Sequence, residues 1–133
     1  MIWSFIVDIT GVSNAMISKI VEKEAKAIAS LIGKPKEPAI FRVIITFYQK
    51  LDRWLRENQM IPREDIGRDL DNLIKPVFDG LGPIIGYRKR WQGGTVSSTY
   101  ASRDSRIVEV IAKKVNSGSN KEFLSIQVEN IIL

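Results

Sequence analysis

The spacing of apolar residues changes along the chain. It passes from the two-residue period of strands to the period of helices, about 3.6 residues, and then back. Apolar and β-branched residues fill Ile2 to Ile9, and Ala39 to Tyr48 alternates. Two more alternating segments, Arg106 to Val115 and Phe123 to Leu133, are separated by a turn rich in Ser, Asn and Gly. Such patterns are typical of strands. We therefore expect a sheet whose strands come from both ends of the chain.

Two segments between these strands have helical spacing. The first follows Ser13 or Asn14, either of which can act as a cap, and Gly33 ends it. Its apolar residues are Ile17, Ile20, Val21, Ala25, Ile28 and Leu31. A second helix is predicted from near Asp69 to about Leu81, because glycine and proline follow it. The segment 51–60 fits either a short amphipathic helix or an irregular excursion.

A hairpin is predicted near the middle of the second half of the chain. Gly93 and Gly94 lie between Trp91 and Val96, as the turn of a hairpin requires. The order is then β-α-β-α-β-β, with the hairpin inserted over 84–102. This order predicts an α/β chain of the α+β kind, with a single mixed sheet and its helices on one face. With 133 residues, the chain fits one domain, 1–133.

The sequence contains neither cysteine nor histidine. Their absence excludes disulfides, thiolate zinc sites and catalysis by a histidine. Any catalysis must use carboxylates, lysine, tyrosine, hydroxyl groups or a metal held by oxygen atoms. The net charge of +5 favours a polyanionic partner such as nucleic acid. A lysine-rich surface without such a partner explains the same charge.

The first eight residues are apolar but lack the basic leader of a signal peptide. No segment approaches the roughly 20 apolar residues that a membrane helix needs. We therefore expect a cytoplasmic protein that does not associate with a membrane.

Acidic residues and a lysine recur in the segment from Asp69 to Asp79. Asp71, Lys75 and Asp79 are four residues apart and so share one stripe of a helix. Asp69 at the N-cap can turn its carboxylate beside Asp71, where the helix dipole favours both acids. Two carboxylates can hold a hard divalent cation, and Lys75 can contact a phosphate. An ordinary capped helix, with oppositely charged side chains four residues apart on its exposed face, explains the same spacing.

At this point the chain resembles a known family. The run Gly67-Arg68-Asp69-Leu70-Asp71-Asn72-Leu73-Ile74-Lys75, with Asp79 after it, is similar to the signature of the RusA family of Holliday junction resolvases. Asp104, followed by a strand that ends at Lys113-Lys114, resembles a second feature of that family. The order of strands and helices follows the family over most of the chain.

The resemblance implies a homodimer that resolves four-way junctions in branched DNA with Mg2+, or with Mn2+ as a substitute. It implies that Asp69, Asp71 and Asp104 are catalytic acids that bind the metal. Lys75 is then a catalytic residue that acts as a base or contacts the phosphate. For Asp79 we expect a structural role, paired with Lys75 or with Arg68. A dimer also follows from the chemistry, because two symmetrical cuts need two sites.

The chain departs from the family pattern in two places. Arg103 stands where the family has the first of two adjacent acids, and the segment 84–102 is longer. The longer segment interleaves basic and aromatic residues, which can contact phosphates and stack on unpaired bases. The expected DNA-binding residues are Arg68, Arg88, Lys89 and Arg90. A hairpin whose exposed face happens to be basic is the alternative.

Two other functions fit the same residues. The first is a non-catalytic protein that binds branched DNA through a RusA-like fold. The second is a structural or interaction protein that does not bind DNA. The combination of Asp69, Asp71, Lys75 and Asp104 favours the nuclease, because a fold by itself does not require that set.

Overall fold

The computed structural model of the protein describes residues 1–51, 53, 69–92 and 95–131, with side chains for all of these except 91, 92 and 95–99. The helices and strands, in chain order, are β1 (Ile2–Asp8), α1 (Asn14–Ile32), β2 (Ile40–Gln49), α2 (Leu70–Gly80), α3 (Gly82–Ile85), β3 (Tyr87–Gln92), β4 (Thr95–Ser102), β5 (Ile107–Asn116) and β6 (Phe123–Ile131). A 3-10 turn, Asp104–Arg106, precedes β5. The ambiguous segment 51–60 lies outside the described residues, except for Leu51 and Arg53.

Four strands form the main sheet, in the order β1-β6-β2-β5. β6 is antiparallel to β1 and to β2, whereas β5 is parallel to β2. The predicted mixed sheet is therefore confirmed. A parallel pair needs a connection that returns the chain to the same end of the sheet. The connection between β2 and β5 contains α2, α3 and the β3–β4 pair.

β3 and β4 pair with each other as a separate antiparallel hairpin. Gln92 lies opposite Thr95, which leaves two residues to join the strands. These two are Gly93 and Gly94, which lie outside the described residues. The inserted hairpin is thus confirmed through the pairing of its strands.

The helices cover one face of the main sheet. Along β1 and β6, buried side chains alternate with more exposed ones, because successive residues of a strand point to opposite faces. The buried side chains of the sheet and helices form one hydrophobic cluster. Its largest fully buried members are Trp3, Phe41, Phe47, Ile9, Ile17, Ile45, Leu73, Leu81, Ile85, Leu124 and Ile126. For the helices within residues 1–51, 69–92 and 95–131, the prediction that they lie on one face is confirmed.

α1 contributes one apolar side to this cluster. Ile17, Val21, Ala25 and Ala29 are buried, and lysine and glutamate residues occupy much of the rest of its surface. Of the helices in the described part of the chain, none combines the length and the apolar character needed to cross a bilayer.

The opposite face of the sheet carries an ion-pair network. Arg42 of β2 lies in register between Glu109 of β5 and Glu129 of β6. Its Nε is 2.7 Å from Oε1 of Glu109, and its Nη1 is 3.1 Å from Oε2 of Glu129. Two carboxylates on neighbouring strands therefore balance the charge of an arginine within a mostly apolar strand.

α2 makes its closest approach to α1 at Gly80. A Cβ added to Gly80 would lie 2.7 Å from both the carbonyl oxygen of Ser18 and Cβ of Val21. Real Cβ contacts are not this short, so the two backbones can approach only because residue 80 has no side chain. This contact lets the C-terminal end of α2 pack closely against α1.

Gly80→Ala should lower the free energy of unfolding by about 1–3 kcal/mol, the usual cost of overpacking a core. Helix propensity alone predicts the opposite sign, since alanine is favoured over glycine by up to about 1 kcal/mol. Urea denaturation measures the difference. Val21→Ala should not restore the lost stability, because the Ser18 carbonyl oxygen and the Cβ of residue 21 still lie 2.7 Å from the added Cβ. A Gly80→Ala protein as stable as the wild type would contradict the close approach.

Candidate functional site

The start of α2 carries two of the expected catalytic acids. Asp69 is the N-cap residue, with extended backbone angles (φ −81°, ψ 145°), and its carbonyl oxygen accepts a hydrogen bond from the Asn72 N–H at 3.1 Å. Its position at the N-cap is therefore as predicted. Its carboxylate makes no capping hydrogen bond, so capping does not account for the acidic side chain. Asp71, in the first turn, is exposed, as is Asp69.

One turn further along α2, Lys75 lies between two carboxylates. Its Nζ is 3.0 Å from Oδ1 of Asp79 and 3.1 Å from Oδ2 of Asp104. Asp79 is the next residue on the same helical stripe, and its expected pairing with Lys75 is present. Asp104 comes from a segment 29 residues further along the chain. We call Lys75, Asp79 and Asp104 the lysine–carboxylate cluster.

The turn that holds Asp104 is fixed by the arginines on either side of the Asp104–Ser105 pair. Arg103 donates from its backbone N–H to the Gly86 carbonyl oxygen at 2.8 Å and from Nε to the Tyr87 carbonyl oxygen at 2.8 Å. Nη1 of Arg106 donates to the Ile85 carbonyl oxygen at 3.2 Å. These bonds attach the turn to the end of α3, and the attachment places Asp104 against Lys75.

Arg103 is thus a structural residue in this chain. The sequence identifies it only as the residue that replaces an acid of the RusA pattern. No sequence signal connects it with Gly86 and Tyr87, because its partners are backbone carbonyl oxygens. Their positions depend on how α3 ends.

The two carboxylates of the cluster raise the pKa of Lys75. The hydrogen bond to Asp79 has the largest effect, and the hydrogen bond to Asp104 adds to it. Lys75 therefore keeps its positive charge throughout the neutral range. A general base must be neutral before it can accept a proton. A charged ammonium group is suited to contact with a phosphate, and both roles expected for Lys75 stay predictions.

The three expected metal ligands are not gathered into one group. Among residues 1–51, 53, 69–92 and 95–131, no three acidic side chains lie close enough together to hold a metal ion. Asp104 contacts Lys75 in the middle of α2, whereas Asp69 and Asp71 lie at the start of α2. All three offer carboxylate oxygen atoms, the donors that Mg2+ prefers. Joint coordination by Asp69, Asp71 and Asp104 stays a prediction.

The expected DNA-binding residues of the hairpin lie along β3. Arg88, Lys89 and Arg90 are all exposed. Nε of Arg90 donates to the carbonyl oxygen of Tyr100 across the hairpin at 3.3 Å. The three cations are thus presented at the surface, and their contact with DNA stays a prediction. Arg68 lies outside the described residues.

Tyr87 was not singled out by the sequence as a structural anchor. Its hydroxyl donates to Oε2 of Glu22 at 3.1 Å, across 65 residues of chain. Burial, followed by this hydrogen bond, raises the pKa of Tyr87 to about 12, so the phenol stays protonated. A Cβ added to Gly82 would collide with the ring. Tyr87 therefore anchors the base of the hairpin to α1 and over α3.

Lys75→Met should change the free energy of unfolding by less than about 1 kcal/mol, because pairs between exposed charges contribute little to stability. The Lys75 side chain is 68% exposed. Chemical denaturation of the variant and the wild type provides the test. A loss of several kcal/mol would show that the lysine–carboxylate cluster holds the fold together.

No protein-family model matches this chain, and neither does any curated protein. A function must therefore be inferred from the site itself, namely from the lysine–carboxylate cluster and the acids at the start of α2.

Proposed function

We propose that the protein is a Mg2+-dependent endonuclease that resolves four-way DNA junctions by paired phosphodiester hydrolysis, in DNA recombination and repair. The observation that carries this proposal is the 3.1 Å contact between Lys75 and Asp104. It joins the segment that resembles the main RusA signature to the segment that resembles the second family feature.

Ordinary pairing of exposed charges along one helix does not explain this contact. Helical spacing alone accounts for the pair of Lys75 and Asp79. Asp104 belongs to a separate turn, and four backbone and side-chain hydrogen bonds from Arg103 and Arg106 hold that turn in place. An exposed ion pair adds little stability. A fixed arrangement of exposed charges with little structural value supports a functional role.

The expected metal ligands are Asp69, Asp71 and Asp104. Their oxygen atoms suit Mg2+, with Mn2+ as a substitute. When bound, such a cation stabilises the charge on a scissile phosphate and lowers the pKa of an attacking water.

The other residues of the site act on the DNA backbone. The ammonium group of Lys75 contacts the scissile phosphate or its leaving oxygen and balances the charge that develops there. Asp79 keeps this ammonium group charged and oriented, as its effect on the pKa of Lys75 indicates. Arg88, Lys89 and Arg90 bind neighbouring phosphates, and Arg68 is the fourth cation that the resemblance suggests.

A homodimer completes the proposal. Resolution of a four-way junction requires one cut in each of two strands, at positions related by symmetry. A twofold axis between two copies of the chain supplies two identical sites in this arrangement. Each protomer then contributes one lysine–carboxylate cluster and one basic hairpin.

The wild type should cleave a synthetic four-way junction in Mg2+, and Asp71→Asn should lower the cleavage rate at least about 100-fold. A bound metal contributes several kcal/mol to transition-state stabilisation, and about 1.4 kcal/mol is tenfold in rate. The measurement is strand cleavage on denaturing gels. Asp8→Asn is the matched control, because Asp8 pairs with Phe123 at the opposite end of the sheet from the turn that holds Asp104.

One result would replace this proposal with its alternative. If the wild type binds junctions of several sequences but cleaves none of them with Mg2+ or Mn2+, the protein is a non-catalytic branched-DNA-binding protein. If it binds no junction at low ionic strength, both DNA functions fail.

Lys75→Arg should keep the cleavage rate within about tenfold of the wild type, whereas Lys75→Met should lower it about 100-fold. Arginine also carries a positive charge, although its geometry differs. The pKa of Lys75 lies above its ordinary value of 10.5, so its charge is constant from pH 6 to 9. Lys75→Arg should therefore keep the pH–rate profile of the wild type over that range. Loss of all cleavage in Lys75→Arg would indicate a base.

A further inference from the structure

A cavity lies between α1 and the β3–β4 hairpin, directly beside the lysine–carboxylate cluster. Its volume is about 220 Å³, and its lining includes Lys19, Glu22, Asp79, Arg90, Tyr100 and Ser102. Asp79 belongs both to this lining and to the cluster. A molecule in the cavity would therefore lie next to the residue that orients Lys75.

Ser102 is the most buried residue of the lining. Its exposed fraction is 4%, and within the described part of the chain its Oγ has no hydrogen-bond partner. A buried hydroxyl without a partner is unfavourable, and such groups are uncommon in folded proteins. Ser102 can donate one hydrogen bond and accept others. Ser102 lines the cavity, so a ligand with hydrogen-bonding groups that reached the buried Oγ would supply its missing partner.

Aromatic rings border the same cavity. The exposed fraction of Tyr100 is 58% and that of Tyr87 is 40%, and the two also line an adjoining cleft of about 380 Å³. Tyr87 is held by Glu22 and packs over Gly82, so Tyr100 is the ring that is suited to stacking against a flat ligand. The ligand is therefore expected to be planar on one face and polar at its edge.

Charged side chains surround this aromatic and polar interior. Lys19 of α1 and Arg90 of β3 are exposed cations, which can bind phosphates. The carboxylate of Glu22 already accepts the Tyr87 hydroxyl and has further acceptor capacity for amino and imino groups. The cations suit the phosphate backbone of a nucleic acid, and the carboxylate suits the polar edge of a base. The aromatic ring suits the flat face of a base. Together these groups match a nucleotide chain.

We propose that this cavity receives one unpaired base of the DNA substrate, a base displaced from its stack at the branch point. The inference rests on the proposed nuclease function and names the part of the substrate that the site would read. Drug-sized ligands usually occupy about 300–1,000 Å³, so 220 Å³ suits a single ring system with its sugar and phosphate outside. We call this site the base cavity.

The position of the base cavity gives it a role in cleavage. An unpaired base held beside Asp79 fixes the strand to which it belongs. The phosphates of that strand then pass close to Lys75. Because Tyr100 and Ser102 belong to β4 and Arg90 to β3, the hairpin supplies most of the interior. The longer 84–102 segment would thus select DNA with an unpaired base over fully paired duplex.

The test compares two four-way junctions, one fully paired and one with a single unpaired 2-aminopurine at the branch point. Binding is measured in Ca2+, to avoid cleavage, by anisotropy and by the fluorescence of the 2-aminopurine. The wild type should bind the unpaired junction more tightly. Tyr100→Ala should weaken binding to that junction about tenfold, which is the order expected for one stacked base. It should leave binding to the paired junction within about twofold.

Matched variants separate stacking from charge and from misfolding. Tyr100→Phe retains the ring and should behave like the wild type. Lys19→Ala should weaken binding, whereas Lys23→Ala, at an exposed position one turn along α1, should not. Ser102→Ala should reduce the preference for the unpaired junction and should fold, because it removes only the unpartnered hydroxyl. Circular dichroism of each variant checks the fold.

The possible failures of the two proposals are distinguishable. If the wild type binds and cleaves junctions but Tyr100→Ala and Ser102→Ala leave the preference and the 2-aminopurine signal unchanged, the base cavity is refuted and the nuclease stands. If the wild type binds no branched DNA at all, the proposed function fails and the base cavity fails with it. A preference lost in Tyr100→Ala and kept in Tyr100→Phe supports the base cavity.

Discussion

The parallel pairing of β2 with β5 is the constraint on which the rest of the structure depends. Antiparallel neighbours can be joined by a short turn, but a parallel pair requires the chain to return to the end from which it started. The return path here carries α2, α3 and the hairpin, and it ends in the Asp104–Arg106 turn. Asp104 therefore approaches α2 from outside the helix. The sheet topology thus brings Asp104, which precedes β5, next to Lys75 of α2 and completes the lysine–carboxylate cluster.

Electrostatics decides the chemistry available to this cluster. An ammonium group between two carboxylates keeps its proton, as the raised pKa of Lys75 indicates. The same contact occupies Asp104, which is one of the three acids expected to bind Mg2+. A metal at the proposed site would compete with Lys75 for that carboxylate and release the ammonium group toward a phosphate. Metal binding and phosphate contact are then linked events.

Local patterns in the sequence were sufficient for the strands, the two long helices and the pair of Lys75 and Asp79, but they did not predict α3 or the 3-10 turn at Asp104–Arg106. Period-two and helical spacing predicted the strands and both long helices, because burial on one face imposes that spacing. The N-cap position of Asp69 and the pair of Lys75 and Asp79 follow from positions within one helix. The hairpin followed from Gly93 and Gly94. All of these features depend on residues that are near one another in the sequence.

Contacts between distant segments required the tertiary structure. The strand order, the role of Arg103, and the bond from Tyr87 to Glu22 depend on backbone positions that no local pattern encodes. The sequence by itself determined the strands, the two long helices, and one helical stripe that carries Asp71, Lys75 and Asp79. Only the tertiary structure brought Asp104 to that stripe and formed a cavity beside it, because a parallel crossover joins segments that are distant in sequence.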